Sequence, residues 1–333
     1  MLIETRAAGR TSLQLSTLGL GTATLGGNVS PPISDVEGRA IVERAVELGI
    51  RYVDTAPYYG YGRSEHLVGD VLRDHPDVMI STKVGRLLKP RVTPQPAGDQ
   101  WVNPLPFEHR YDYSYDGVMR SFEDSFQRLG VDHIELLLIH DIGVDQHGEA
   151  LNAEFFPVAM TGGYRALDEL RSAGAVKAIG LGVNEWQVLA EATKHGQWDA
   201  FLLAGRYTLL EQGPLHTLFP LCEQAGTSII VGGPFNSGIL AGRDTWNYAR
   251  APEAIMTRAR KIAAVCDAHN VALPAAALRF PLGSPLVTSV IPGPRSAAEV
   301  SEIAAWFAAD IPPSLWTDLR TEGLIDPAAP IPT

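Results

Sequence analysis

Short apolar segments typical of β-strands alternate with longer stretches of helical periodicity along the 333 residues. The strand-like segments are residues 15–22, 51–56, 78–84, 134–141, 176–184, 200–205, 227–233 and 287–293. A repeated strand–helix order predicts a parallel sheet. Eight such units in a chain of this length favour a closed (β/α)8 TIM barrel over an open doubly wound sheet.

Glycine motifs that bind nucleotide phosphates in open sheets are incomplete in this chain. The segment GLGTAT contains G-x-G, but Thr24 stands where the dinucleotide-binding motif needs its third glycine. No G-x-x-x-x-G-K-[ST] sequence occurs. We therefore expect one barrel domain over residues 1–333.

A long segment interrupts the alternation after the third strand, at about residues 86–115. Its five prolines oppose a long helix, whereas its tryptophan, phenylalanine and tyrosines argue against disorder. Long loops inside compact domains are commonly lids or binding loops. We expect a substrate or lid loop here. The alternative, which stays open, is that these aromatic side chains only pack the loop onto the barrel.

Composition bounds the partners. The chain has 27 basic and 38 acidic residues, a net charge of -11, which argues against nucleic acid and anionic membranes. It contains no apolar run of 18 residues and no apolar N-terminal segment, so we expect neither a membrane span nor a secretory signal. Cys222 and Cys266 cannot build a disulfide framework, so a reduced, cytoplasmic setting is expected. The expected partner is a small molecule, and the oligomeric state stays open.

Ionisable side chains stand at the carboxyl ends of three predicted strands, namely Asp54, Lys83 and His140. These ends surround the active site of a barrel, and Tyr59 follows Asp54 closely enough to reach the same mouth. Each residue alone has a structural alternative, because aspartates cap turns, lysines extend to solvent and histidines or tyrosines pack. A functional site requires that all four meet.

Together these residue types suit proton transfer beside a carbonyl or alcohol carbon. A tyrosine phenol has a pKa of about 10, and a neighbouring ammonium lowers that pKa. Lys83 would supply the charge to Tyr59, and Asp54 would hold Lys83. His140 would hydrogen-bond the substrate oxygen. The nine histidines show no metal-ligand spacing, so no metal site is expected.

The segments DTAPYYGYGRSEHLVG, ISTKVG, LLLIHD, GLGVN and VIPGPRS occur in this order and resemble the aldo-keto reductase family. The resemblance extends from about residue 18 to 307. It implies the barrel fold and hydride transfer between a nicotinamide cofactor and a carbonyl or alcohol. It also implies four catalytic residues, which are Asp54, Tyr59, Lys83 and His140. Tyr59 would be the general acid in reduction and the general base in oxidation.

The resemblance further implies cofactor contacts along the barrel mouth. They are Thr22, Asn184, Gly233, Phe235, Asn236, Ser237, Gly293, Arg295, Glu299 and Glu302. The chain has Val183, Ala204 and Gly232 where the family usually has a serine, a glutamine and an aromatic residue. Glu299 would repel the 2′-phosphate of NADP, so NAD is favoured. Arg295 could serve a phosphate, which keeps NADP possible.

The segments YDYSYDG and FLLAGRYTLLEQ resemble the sugar dehydrogenases of this family and its enzymes that act on pyridoxal. This implies oxidation of an aldose (L-fucose, D-arabinose or L-galactose type) at the anomeric carbon by NAD, giving a lactone. The alternatives are oxidation of pyridoxal to 4-pyridoxolactone, a general NADPH-dependent carbonyl reductase, and a cofactor-binding regulatory subunit that is not an enzyme. Substrate contacts are expected at Tyr58, Arg86 and Trp101.

Overall fold

The computed structural model describes residues 3–29, 31–95 and 99–332. The strands within these ranges are β1 (Thr5–Ala7), β2 (Gln14–Ser16), β3 (Leu20–Gly21), β4 (Tyr52–Asp54), β5 (Met79–Val84), β6 (Arg86–Pro90), β7 (Phe107–Tyr111), β8 (Leu136–His140), β9 (Ala178–Val183), β10 (Ala200–Ala204), β11 (Ser228–Gly232), β12 (Thr245–Trp246), β13 (Ala249–Arg250) and β14 (Val287–Ile291).

Eight of these strands form a parallel sheet in the order β3, β4, β5, β8, β9, β10, β11 and β14. A parallel bridge between Leu18 and Val290 joins its two edges. There the Gly19 N–H donates to Val290 O, and the Val290 N–H donates to Thr17 O, each at 2.9 Å. The sheet thereby closes, and the predicted (β/α)8 barrel is confirmed.

Helices cover the outside of this barrel. They are α1 (Asp35–Glu47), α2 (Arg63–Leu72), α3 (Tyr115–Leu129), α4 (Val144–Val158), α5 (Tyr164–Ser172), α6 (Trp186–Ala192), α7 (Leu218–Ala225), α8 (Glu253–Ala268), α9 (Leu273–Arg279), α10 (Ala297–Phe307) and α11 (Pro313–Thr321). A π-helical turn, Ala159–Gly163, connects α4 to α5. In the ranges that the structure describes, none of these helices combines the length and the apolar character needed to cross a membrane.

The strands bury both of their faces, which is why they read as continuous apolar runs. Leu136 and Leu138 of β8 point into the barrel, whereas Leu137 and Ile139 pack against the surrounding helices. The antiparallel β1–β2 pair adds Leu13 and other apolar side chains to the inner cluster. The two cores leave the carboxyl ends of the strands free to carry polar groups.

The long segment after the third barrel strand contains an antiparallel hairpin of β6 and β7 rather than an irregular loop alone. Its register pairs Arg86 with Tyr111 and Pro90 with Phe107. A proline ends β6 at the point where the ladder stops, as expected for a residue that has no N–H to donate. The hairpin begins directly after β5, so it stands beside the end of that strand. A second small hairpin, β12–β13, follows the seventh barrel strand.

Candidate active site

Strand ends bring Asp54 and Lys83 together at the mouth of the barrel. Asp54 ends β4, Lys83 is the penultimate residue of β5, and Tyr59 lies in the turn that follows β4. The Lys83 ammonium donates to Asp54 Oδ2 at 2.6 Å, to the Thr55 carbonyl at 2.9 Å and to the Tyr59 hydroxyl at 3.1 Å. With 1 % of its side chain exposed, Lys83 has its three donors satisfied inside the protein.

The charges of this cluster act on the Tyr59 phenol in opposite directions. Burial raises the pKa of Tyr59 to about 12, and Lys83 opposes that rise while Asp54 adds to it. Burial lowers the pKa of Lys83, but Asp54 and Tyr59 outweigh burial, so the net shift is upward and the ammonium stays charged. The sequence predicted that Lys83 lowers the pKa of the phenol below its ordinary value, but the net shift in the free protein is upward because burial dominates. Lys83 limits the increase instead.

His140 ends β8, and its ring lies edge-on to the Tyr59 ring with the centroids 5.8 Å apart. Burial lowers the pKa of His140 well below its ordinary value, and Arg86 and Lys83 lower it further. The imidazole is therefore uncharged. Its Nδ1 is buried without a hydrogen-bond partner among the described residues, and its Nε2 lies 3.4 Å from Asp141 Oδ2.

Asp141 is a residue of this site that the sequence argument missed. It directly follows His140 and adopts φ 47°, a left-handed conformation that non-glycine residues seldom take. Its Oδ2 accepts a close hydrogen bond from Nη2 of Arg86. The signal in the sequence is its place in LLLIHD, one position beyond the predicted strand end at His140.

The three expected substrate contacts lie at different depths. Tyr58 is half-buried, with its ring 6.2 Å from that of His140. The Arg86 guanidinium is stacked 3.7 Å from the Tyr58 ring centroid and is 1 % exposed. Trp101 is buried between Tyr58 and Gly26, where a Cβ atom would approach the indole to 2.6 Å. Of the three, only Tyr58 is exposed enough in this conformation to meet a substrate.

A cavity of about 260 Å³ opens beside Asp141 at the ends of β8, β9 and β10. Asn184, a predicted cofactor contact, lines it together with Arg206 and Tyr248. The Asn184 amide donates to the Tyr248 hydroxyl at 3.2 Å and to the Ala204 carbonyl at 3.4 Å. Tyr248 comes from the β12–β13 turn, which was absent from the sequence predictions. The cavity therefore joins a predicted cofactor residue to the surroundings of His140.

The other predicted contacts nearest the mouth have hydroxyl or amide groups engaged within the protein. Thr22 is buried, donates to the Asp54 carbonyl at 2.8 Å and accepts from Ser64 at 2.8 Å. The Asn236 Nδ2 donates to the Gly205 carbonyl at 3.0 Å and to Glu211 at 2.9 Å, whereas its Oδ1 is buried without a hydrogen-bond partner among the described residues. These side chains therefore hold the loops in place.

The remaining members of the loop after β11 form a strained turn. Gly233, Asn236 and Ser237 have positive φ angles of 54°, 47° and 61°. The Ser237 hydroxyl accepts from the Tyr248 N–H at 3.0 Å. Phe235 packs edge-on against Trp306, with ring centroids 6.1 Å apart. Loop backbone, more than side chain, is what this turn presents to the mouth.

Charged residues gather beyond β14, near the start of α10. Glu299 accepts from the Arg295 N–H at 2.7 Å, from Arg295 Nε at 2.9 Å and from Arg243 at 3.1 Å. Arg243 lies 56 residues away in sequence and was not among the predicted contacts. Gly293 lies against Thr24, and Glu302 is exposed. Two guanidinium groups thus share one carboxylate, a pairing that the sequence argument did not foresee.

No group of three or more metal-binding side chains occurs in the ranges that the structure describes. The mouth of the barrel brings together a phenol, an ammonium, an imidazole and a carboxylate. These groups can move a proton to or from an oxygen.

Comparison with known proteins agrees with the fold. Residues 17–321 match the model of the aldo/keto reductase family. A pyridoxal 4-dehydrogenase of Microbacterium luteolum is 46 % identical over 97 % of this chain and 98 % of its own length. A D-threo-aldose 1-dehydrogenase of a Pseudomonas species is 37 % identical over 96 % of this chain and 97 % of its own.

Solved structures show the same architecture. The holo form of an aldo-keto reductase from Bacillus halodurans superposes with a TM-score of 0.74, covering 98 % of each chain at 23 % identity. A glycerol dehydrogenase of Gluconobacter oxydans gives a TM-score of 0.72 at 20 % identity, covering 100 % of this chain and 98 % of its own. These structures support the barrel fold.

Proposed function

Because the chain belongs to the aldo/keto reductase family and is thereby an NAD(P)-dependent oxidoreductase, we propose that it oxidises a cyclic hemiacetal to a lactone with NAD. The observation that carries the proposal is the Asp54–Lys83–Tyr59 contact set beside the neutral ring of His140. We take these contacts as support for a proton acceptor and a hydrogen-bond donor that act on one substrate oxygen.

In the proposed mechanism the ring hydroxyl of the hemiacetal lies between the Tyr59 hydroxyl and His140 Nε2. Tyr59 takes the proton of this hydroxyl as hydride leaves the carbon that carries the hydroxyl. Lys83 stabilises the phenolate, and Asp54 holds Lys83 in place. His140 donates to the oxygen and fixes its direction. In reduction Tyr59 returns the proton.

The donor set of the mouth fits a nicotinamide cofactor. Asn184 has an amide that lines the cavity and suits a carboxamide, and the turn at Gly233 offers backbone to a pyrophosphate. Near α10, the guanidinium groups of Arg295 and Arg243 are suited to contact the adenosine end of the cofactor. The cofactor supplies the hydride acceptor, and these residues would hold it.

The proposed preference for NAD rests on Glu299. Because both neighbouring guanidinium groups are already paired with this carboxylate, a 2′-phosphate would have to displace it. The carboxylate could instead accept a hydrogen bond from a ribose hydroxyl. Use of NADP would require that Arg243 and Arg295 leave Glu299.

Two hemiacetals are candidates for the substrate. Pyridoxal is favoured by the relative that is 46 % identical, and an aldose of the L-fucose, D-arabinose or L-galactose type by the relative that is 37 % identical. The Tyr58 ring suits a flat ring or the apolar face of a sugar. Tyr61, Trp101 and His109 pack edge-on around Tyr58 and hold its ring in place. The β6–β7 hairpin carries His109, which contacts Tyr58, and this hairpin is the proposed lid.

A panel of substrates tests the proposal. Purified protein is mixed with NAD or NADP and with pyridoxal, L-fucose, D-arabinose or L-galactose, and reduced cofactor is followed by absorbance. We expect turnover with NAD and at least one hemiacetal, and a lactone detected by mass spectrometry. Reduction of simple aldehydes by NADPH without oxidation of any hemiacetal would contradict the proposal and favour the general carbonyl reductase.

A further inference from the structure

An ion pair that the reaction does not use directly is buried beside His140. Arg86, at the start of β6, is 1 % exposed, and its Nη2 donates to Asp141 Oδ2. Its guanidinium lies 3.7 Å from the Tyr58 ring centroid and 5.1 Å from that of Tyr111. Burying a charged pair is costly unless the geometry compensates for the lost hydration. A pair placed directly against a predicted catalytic side chain therefore calls for a functional explanation.

Asp141 connects this pair to the histidine. Its Oδ2 lies 3.4 Å from His140 Nε2, and its side chain is 19 % exposed and lines the cavity at the barrel mouth. This is an ion-pair contact and not a hydrogen bond, so the carboxylate acts through its charge, which favours the tautomer with its proton on Nε2 and leaves that N–H free to donate to a substrate. That tautomer is the one in which the ring can donate a hydrogen bond on the side of Asp141 and the cavity.

The surroundings of His140 Nδ1 favour the same tautomer, with the proton on Nε2. His140 Nδ1 is buried and has no hydrogen-bond partner among the described residues. An imidazolium would carry an N–H at this position with no acceptor, which is costly in a buried site. A neutral ring with its proton on Nε2 leaves only a lone pair at Nδ1.

A carboxylate alone would stabilise the charged ring, because an opposite charge favours imidazolium. The charged and titratable groups that face His140 come from several elements. They are Asp141 itself, Lys83 of β5, Arg86 of β6, His109 of β7, and Tyr58 and Tyr59 of the turn after β4, with Asp54 behind Lys83. Among them, Arg86 is the cation that contacts the Asp141 carboxylate directly.

We infer that Arg86 and Asp141 are positioning residues for His140. The Asp141 carboxylate keeps a proton on Nε2, and the Arg86 guanidinium offsets that carboxylate so that the ring stays uncharged. The inference rests on the proposed function in one respect, since it assumes that Nε2 donates to the reacting oxygen. The arrangement explains why a carboxylate can lie against the ring without making it an imidazolium.

The test uses the full chain and follows His140 by NMR of histidine labelled with ¹³C at Cε1, with the signal assigned by a His140→Gln variant. Arg86→Met removes the positive charge that offsets the Asp141 carboxylate, so the His140 signal should titrate at higher pH than in the native protein. Protonation of His140 should add a steeper fall of kcat/KM for hemiacetal oxidation at acid pH, and this fall should begin at a higher pH in Arg86→Met than in the native protein. Arg86→Lys should restore the native titration. Arg110→Met removes an exposed arginine that pairs with Asp112 on the same hairpin, and it should match the native protein.

A second variant covers the case in which Arg86→Met does not fold because Asp141 is left unpaired. Arg86→Met/Asp141→Leu removes both charges. We expect a His140 ring that is uncharged as in the native protein, and a kcat about 10- to 100-fold lower because the orienting carboxylate is gone. A native titration of His140 in Arg86→Met, or a native kcat in the double variant, would overturn the inference. Failure of the proposed function looks different, because the native protein would then oxidise no hemiacetal.

Discussion

The pH dependence of oxidation should report the ionisation of Tyr59. With a pKa of about 12, roughly one phenol in ten thousand is ionised at pH 8. If the phenolate is the base, kcat/KM rises about tenfold for each pH unit below that pKa. A cationic nicotinamide beside the phenol would move the whole profile to lower pH and leave its slope unchanged.

Replacing Lys83 by methionine should shift this profile. The ammonium lies 3.1 Å from the Tyr59 hydroxyl and lowers the pKa of the phenol. A charge this close changes a pKa by about 1 to 3 units. Its removal raises the pKa of Tyr59, so kcat/KM should fall about 10- to 1000-fold at any pH below the plateau.

The assay is reduced-cofactor formation between pH 6 and 10, with NAD binding measured separately by fluorescence. Lys83→Met leaves Asp54 buried and unpaired, which costs about 3 to 5 kcal/mol of folding free energy, so thermal melts accompany the kinetics. The double variant Asp54→Asn/Lys83→Met removes that unpaired charge. Lys89→Met, an exposed change on β6, is the matched control. A folded Lys83 variant with the native profile would refute a role for the ammonium in setting the base.

Three further outcomes are expected. Glu299→Gln should raise kcat/KM with NADP relative to NAD by about tenfold, because Arg243 and Arg295 are then free for a 2′-phosphate; an unchanged ratio from parallel cofactor titrations would show that they do not reach it. Burial lowers the pKa of His109 from 6.5 to about 4, so on acidification His109 is protonated in the unfolded chain at a higher pH than in the folded protein. The free energy of unfolding should thus decrease as the pH falls from about 6.5 to 4. Urea melts should show a smaller decrease in His109→Phe, and the same decrease as in the native protein would contradict this reasoning. In Gly180→Ala the added methyl overlaps the Ala200 carbonyl of the neighbouring strand, so the free energy of unfolding should drop by about 1 to 3 kcal/mol, and a native melting temperature would contradict the packing.

The barrel could be predicted from the sequence because each of its strands is buried on both faces. The run that contains Leu136–His140 is continuous for that reason, and its polar end marks the mouth. The β6–β7 hairpin was not predicted, because the five prolines of this segment indicate a loop and the pairing of its two short strands depends on the fold. The apolar pattern therefore predicts the barrel strands better than it predicts the segments inserted between them.

The environment of the site could be predicted only in part. The order of Asp54, Tyr59 and Lys83 suggested that they approach one another, but the net rise in the pKa of Tyr59 depends on burial, which no motif encodes. Glu299 was predicted to repel a 2′-phosphate, but its ion pair with Arg243 could not be predicted, since Arg243 comes from a distant loop. Arg86 was predicted to contact the substrate, but its guanidinium is stacked on the Tyr58 ring and is buried.

Tyr59→Phe is the most direct test of the proposed mechanism. The variant keeps the ring and loses the hydroxyl that receives the Lys83 hydrogen bond. Single-turnover oxidation of the hemiacetal found by the substrate panel is compared with that of Tyr115→Phe, whose hydroxyl bonds Glu169 on the surface. We expect the rate to fall by about 100-fold or more in Tyr59→Phe with an unchanged Kd for NAD. A rate near that of the native protein, with the same cofactor affinity, would contradict proton transfer by Tyr59.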